Sequence, residues 1–187
     1  MRRTVALDQQ YFYSLREKNY FYIDKTAFIR EWWNIGDTVT LITRPRRFGK
    51  TLMMSTVESF FSTKYAGRSA LFEGLDIWKD EAFQEIQGTY PVIFLSLANV
   101  KPTTFAKAQY DFCTEIRRIY RQWEDLLNAP AMTESDCREY AVLKDDLTPF
   151  AADDAIRRLA EFIMKATGKK PIILLDEYDT PLQEAWV

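Results

Sequence analysis

A chain of 187 residues, 47% hydrophobic and 28% charged, is large enough to bury a real core, and one globular domain spanning 1–187 is expected. The net charge of −2 argues against a protein whose main task is coating nucleic acid, and the lack of histidine excludes His-based metal sites, Ser-His-Asp triads and Cys-His pairs. Cys113 and Cys137 are too few for a disulfide framework, and no apolar run is long enough for a signal peptide or a membrane span, so a cytoplasmic chain with no membrane partner is expected.

In chain order, the β-branched apolar run at 38–43 predicts a buried strand, and a basic loop containing Pro45 and Gly49 punctuates it. Met53, Val57, Phe60 and Phe61 then recur at helical spacing and predict a helix over 50–61. A second strand is predicted at 91–97, with Pro91 first, where a missing N–H does least harm. Phe112, Ile116, Ile119, Tyr120, Trp123 and Leu127 fit one face of a long helix between 103 and 127. The polar stretch 128–148 reads as an excursion or short helix outside the sheet. Thr148 and Pro149 form a cap followed by proline at the first helical position, and Ile156, Leu159, Phe162 and Ile163 carry an apolar face up to Gly168. The continuous apolar run 171–175 predicts a last strand covered on both faces, as in a parallel sheet. This alternation implies a three-layer α/β/α sandwich with a mainly parallel sheet, whose ligands sit beyond the carboxyl ends of the strands. Both conspicuous polar motifs fall at those ends.

The first motif is Arg44, Pro45, Arg46, Arg47, Phe48, Gly49, Lys50 and Thr51. Against the P-loop pattern G-x-x-x-x-G-K-[ST], the last three match while Arg44 replaces the leading glycine. Backbone N–H groups from Arg44 to Leu52 would cradle phosphates at a positive helix end. Lys50 would reach the β- and γ-phosphates of ATP as a catalytic group, and the Thr51 hydroxyl would ligate Mg²⁺. A Gly-Lys-Thr tripeptide is weak by itself, and a solvated basic loop is the plain alternative. Its place between a strand pattern and a helix pattern favours the P-loop. The second motif, Asp176 and Glu177, puts two carboxylates at the tip of an apolar strand, where a cation would offset the cost of burying them. Asp176 would hold Mg²⁺, and Glu177 would polarise the attacking water.

Phe21 to Thr26, Leu41 to Leu52, Leu71 to Leu75 and Leu174 to Asp179 together resemble the bacterial AAA-ATPase-like family. That family commonly shows a Y-[VI]-D-K-T segment and an R-P-R-R-F-G-K-[ST] P-loop, which makes Arg44 a family feature. The resemblance covers nearly the whole chain and implies a P-loop NTPase fold with ATP and Mg²⁺. Family members typically continue past the Walker B strand, often into a domain similar to PD-(D/E)xK nucleases. The chain is therefore expected to be an N-terminal fragment, with nucleic acid as a further partner engaged through the missing domain. In related ATPases the strand after Walker B inserts between the P-loop strand and the Walker B strand. Without it, 39–43 and 172–175 are each expected to present an unpaired edge.

Two alternatives stay open at this point. Asp24 either caps a helix beginning near Thr26 or, by resemblance, sits with Lys25 and Thr26 near the nucleotide. Arg46 and Arg47 either help hold phosphate or form a solvated pair. The functional expectation is Mg²⁺-dependent ATP hydrolysis as the motor or switch module of a larger protein, coupled to nucleic-acid processing. The rival is a nucleotide-binding regulatory module with negligible turnover, and Glu177 favours the enzyme.

Overall fold

The computed structural model describes residues 4–6, 9–43, 45, 48–101 and 103–181, which form two compact units, Met1–Tyr90 and Pro91–Val187. The first holds helices α1 (Phe12–Glu17), α2 (Ala27–Ile35), α3 (Lys50–Phe61) and α4 (Glu81–Ile86), with three 3₁₀ turns between α3 and α4. Its core is aromatic. Phe12, Phe60, Phe61 and Phe72 are fully buried, and the Phe72 ring lies 5.1 Å from both Phe12 and Phe60. Small hydroxyl residues on the buried face of α3 let α1 come close, and the buried Ser55 Oγ accepts the Phe12 N–H at 3.0 Å, satisfying one orphan donor of α1. The far end of α3 is finished by a returning segment. Gly88 and Tyr90 donate their N–H groups at 2.8 Å to the last carbonyls of the helix, Phe60 and Phe61. Gly88 has φ 70, and a Cβ there would stand 2.6 Å from the Ala66 Cα, so only glycine fits.

The run 38–43 is not the buried strand its composition predicts. It pairs with no strand among the described residues, and Val39 and Leu41 are 84% and 64% exposed. β-branched residues suit a pleated surface, but a strand also needs a neighbour to take its backbone hydrogen bonds. The Trp32 indole N–H donates to Thr40 Oγ at 3.0 Å, while Trp33 stacks on Phe61.

The second unit runs β1 (Val92–Ser96), α5 (Phe105–Gln122), α6 (Glu134–Asp145), α7 (Pro149–Thr167) and β2 (Ile172–Asp176). The two strands pair in parallel, with Val92 opposite Ile172 and Ser96 opposite Asp176. Against β1 pack the buried faces of the helices, including Ile116, Ile119, Tyr120, Leu159 and Ile163. Two buried phenols fasten the helices together. Tyr140 donates to the Tyr120 carbonyl at 2.6 Å and Tyr120 to the Ala155 carbonyl at 2.7 Å, and burial pushes both hydroxyls up, which keeps them neutral donors. α7 begins and ends where its local chemistry predicts: Thr148 Oγ accepts the Ala151 N–H, Pro149 follows, and Gly168 closes the helix in a left-handed conformation. The polar stretch before it carries α6, opened by a reciprocal Thr133 and Asp136 capping box. Lys165 on α7 pairs with Asp136 and, with the Thr133 contacts, holds that carboxyl well below the usual range.

β2 departs from the expectation of cover on both faces. Ile173 and Leu175 are 49% and 45% exposed, whereas Asp176 at the strand end is 4% exposed. The described residues thus form a mixed α/β fold with a two-stranded parallel sheet, smaller than the sheet expected, because the third candidate strand has no ladder partner. Among them no helix is long and apolar enough to cross a membrane.

Candidate functional site

The basic loop and the start of α3 form the candidate site of the first unit. Arg44, Arg46 and Arg47 lie outside the described residues. Pro45 and Phe48 are exposed, and the Phe48 N–H turns back toward the Pro45 carbonyl at 3.4 Å. Gly49 then takes φ 77, a left-handed step that a Cβ would strain, and Lys50 and Thr51 are the first two residues of the helix. No described side chain caps this helix start, and no acidic residue lies in its first turn. The N–H groups of the first turn have no carbonyl within the helix to bond, and the helix dipole is positive here. This is the chemistry of an anion cradle. Lys50, Thr51 and Leu52 are all half-buried, so the turn is fixed by the helix behind it.

The acidic pair belongs to the second unit. The Asp176 carbonyl accepts the Leu97 N–H at 3.0 Å, so the sheet continues to the last residue of β2. The Asp176 side chain is buried and the next, Glu177, is exposed. Adjacent strand residues point to opposite faces, and here the chain also turns, since Glu177 has φ 53. The Thr180 N–H donates to the Glu177 carbonyl at 3.1 Å, and the Thr180 hydroxyl approaches Glu177 Oε2 at 3.4 Å. Thr180 has no counterpart among the sequence-derived site residues. The one available signal was its place three residues after a candidate catalytic acid, the spacing of a side-chain-closed turn.

A family model described as "Predicted AAA-ATPase" matches residues 7–187. The chain belongs to the AAA-ATPase-like family. Among curated proteins it is similar to an "Uncharacterized protein in vnfD 5'region" of Azotobacter chroococcum mcd 1, 26% identical over 187 residues. That alignment takes in 97% of this chain but 30% of the relative, so the chain spans less than a third of the relative's length. No solved structure matches the chain.

In this AAA-ATPase-like chain the other two family motifs form a scaffold behind α3. The Asp24 carboxylate accepts the Thr26 N–H and hydroxyl through Oδ1, at 2.8 and 2.7 Å, and the Asp76 N–H through Oδ2 at 2.7 Å. Thr26 Oγ, fully buried, accepts the Ile77 N–H. Asp24 is not a regular helix cap, since Thr26 occupies the N-cap position and no side chain caps α2; the Asp24 carboxylate closes the turn before it. Arg30 pairs with Asp76 at 3.1 Å, and the Lys79 ammonium, with Arg30 second, holds the Asp76 carboxyl below its usual range. Arg16 donates to the carbonyls of Leu71 and Glu73, fixing the turn whose Phe72 fills the core. Tyr22 reaches the Thr56 side chain of α3 and the Lys25 backbone, and burial raises its phenol. The Y-I-D-K-T segment is therefore pinned on one side to the helix that carries Lys50 and on the other to the 3₁₀ turn at Asp76–Lys79.

Proposed function

We propose that this chain is the nucleotide-binding module of a P-loop ATPase, built in full as a three-layer α/β/α sandwich, that binds ATP with Mg²⁺ and hydrolyses it. The observation that carries the proposal is the left-handed Gly49 opening α3, with Lys50 and Thr51 at its first two positions. Family membership supports nucleotide binding.

In this proposal the backbone of 44–52 cradles the phosphates, and the Lys50 ammonium faces the β- and γ-phosphates. Thr51 Oγ and the buried Asp176 carboxylate are hard oxygen donors that suit Mg²⁺, which keeps most of its waters and takes only one or two protein ligands. When bound, the cation supplies charge neutralisation on the phosphate oxygens. Glu177 is exposed and so free of a buried structural duty, which favours the water-polarising role and hydrolysis over a purely regulatory site. The relative's greater length supports a module inside a larger protein, and the family resemblance makes nucleic-acid processing the coupled task of this proposal.

Calorimetry on the complete natural protein tests the binding half. Lys50→Ala is expected to weaken ATP–Mg²⁺ binding about 10- to 100-fold, the loss of one charge-assisted contact. Undiminished affinity would remove the P-loop assignment. Glu177→Gln is expected to keep binding and cut phosphate release by roughly two orders of magnitude or more. Equal turnover would leave the regulatory module as the better account.

A further inference from the structure

We propose that Thr180 is a positioning residue for Glu177, holding the carboxylate that the hydrolysis proposal makes the base. The inference rests on that proposal. Three observations in the turn after β2 carry it. First, the chain arrives at Glu177 in a fixed direction, because Asp176 is buried and its carbonyl is bonded to the Leu97 N–H at 3.0 Å. Second, Glu177 takes φ 53, a left-handed conformation that a residue with a Cβ keeps only where its surroundings impose it. Third, one residue touches both ends of Glu177: the Thr180 N–H holds its carbonyl at 3.1 Å, and the Thr180 hydroxyl stands 3.4 Å from its Oε2.

An exposed glutamate otherwise samples many rotamers, and few of these would place a carboxylate oxygen within reach of a single water. A hydroxyl donor fixed by the same turn that fixes the Glu177 backbone selects among them. The 3.4 Å separation is longer than a closed O–H···O bond, as catalytic hydrogen bonds commonly are before substrate binds and tightens them. Thr180 touches neither the water nor the nucleotide in this scheme. Its effect therefore belongs to turnover and not to substrate binding.

Thr180→Val has nearly the same shape and keeps the backbone N–H but lacks the donor, whereas Thr180→Ser keeps the donor. Steady-state ATP hydrolysis by the complete natural protein, with Tm measured on each variant, reads the outcome. The Val variant is expected to lose about tenfold in kcat with KM and Tm nearly unchanged, and the Ser variant to stay within about twofold of wild type. An unchanged or raised kcat in the Val variant, a loss confined to KM, or an equal loss in the Ser variant each overturns the proposal. Glu177→Gln, assayed alongside, separates two failures. If Glu177→Gln hydrolyses ATP like wild type, the base assignment itself is wrong and the role of Thr180 falls with it. If Glu177→Gln is inactive while Thr180→Val is normal, only the role of Thr180 is lost.

Discussion

Glu177 occupies a backbone conformation better suited to glycine, at a cost of about 1–2 kcal/mol for a residue with a Cβ. Glycine would relieve that strain but lose about 0.5–1 kcal/mol through its freer unfolded chain. Urea unfolding should therefore find Glu177→Gly more stable than Glu177→Gln by roughly 0.5–1 kcal/mol, while both lose hydrolysis. Equal stabilities would mean that the left-handed turn is not imposed by its surroundings. A second prediction concerns Glu58, whose carboxyl is raised by burial against the opposing pull of Lys64 at 3.8 Å. Because its folded value is raised, the folded state keeps a proton that the unfolded chain has already released. Stability is then lost as pH rises upward from the ordinary carboxylate range through the folded value. Glu58→Gln should raise Tm at pH 7 and flatten its decline from acid to neutral pH, and an unchanged profile would mean that Lys64 fully compensates the burial. At this scale the motifs made Lys50, Thr51, Asp176 and Glu177 candidates in the sequence, because each is a chemical type at a fixed spacing. The φ of Glu177 and the hydroxyl of Thr180 left no such mark, since both are properties of a turn and threonine is common in turns.

Among the elements, those specified by local chemistry were read correctly. α3 covers the residues its apolar spacing predicts, and α7 starts at Thr148 and Pro149 and stops at Gly168, because caps are written within four residues of the chain. Thr148→Ala should accordingly cost about 1 kcal/mol in urea unfolding while Thr148→Ser costs little, and an equal loss for both would assign the effect to packing. Elements that depend on distant partners were harder to read. α6 buries only Tyr140 and Leu143 under a polar sequence, and it is anchored to α5 by the Tyr140 hydroxyl on the Tyr120 carbonyl, a bond spanning twenty residues. The run 38–43 shows the converse, a strand composition that finds no ladder among the described residues. Composition states a preference for pleated backbone and is silent about the neighbour that must complete it.

For the molecule as a whole, the unread part is the pairing of strands. β2 is paired by β1 along one edge, and no other described strand takes its second edge, beside which Ile173 and Leu175 are exposed. Val39 and Leu41 lie exposed in an irregular run with no ladder among the described residues. Open backbone donors and acceptors flanked by apolar side chains are templates for further strands, from the same chain or from another. Residues 1–187 expressed alone are therefore expected to self-associate through these segments and to release no phosphate from ATP, because the loop before α3 follows a run with no ladder and the turn after β2 follows a strand paired along one edge. Sedimentation velocity across a range of concentrations, run with a phosphate-release assay, decides the matter. Growth of larger species with concentration and no turnover agrees with the open edges. A monomer that unfolds cooperatively and hydrolyses ATP would mean instead that 38–43 and the second edge of β2 are closed within the isolated chain itself.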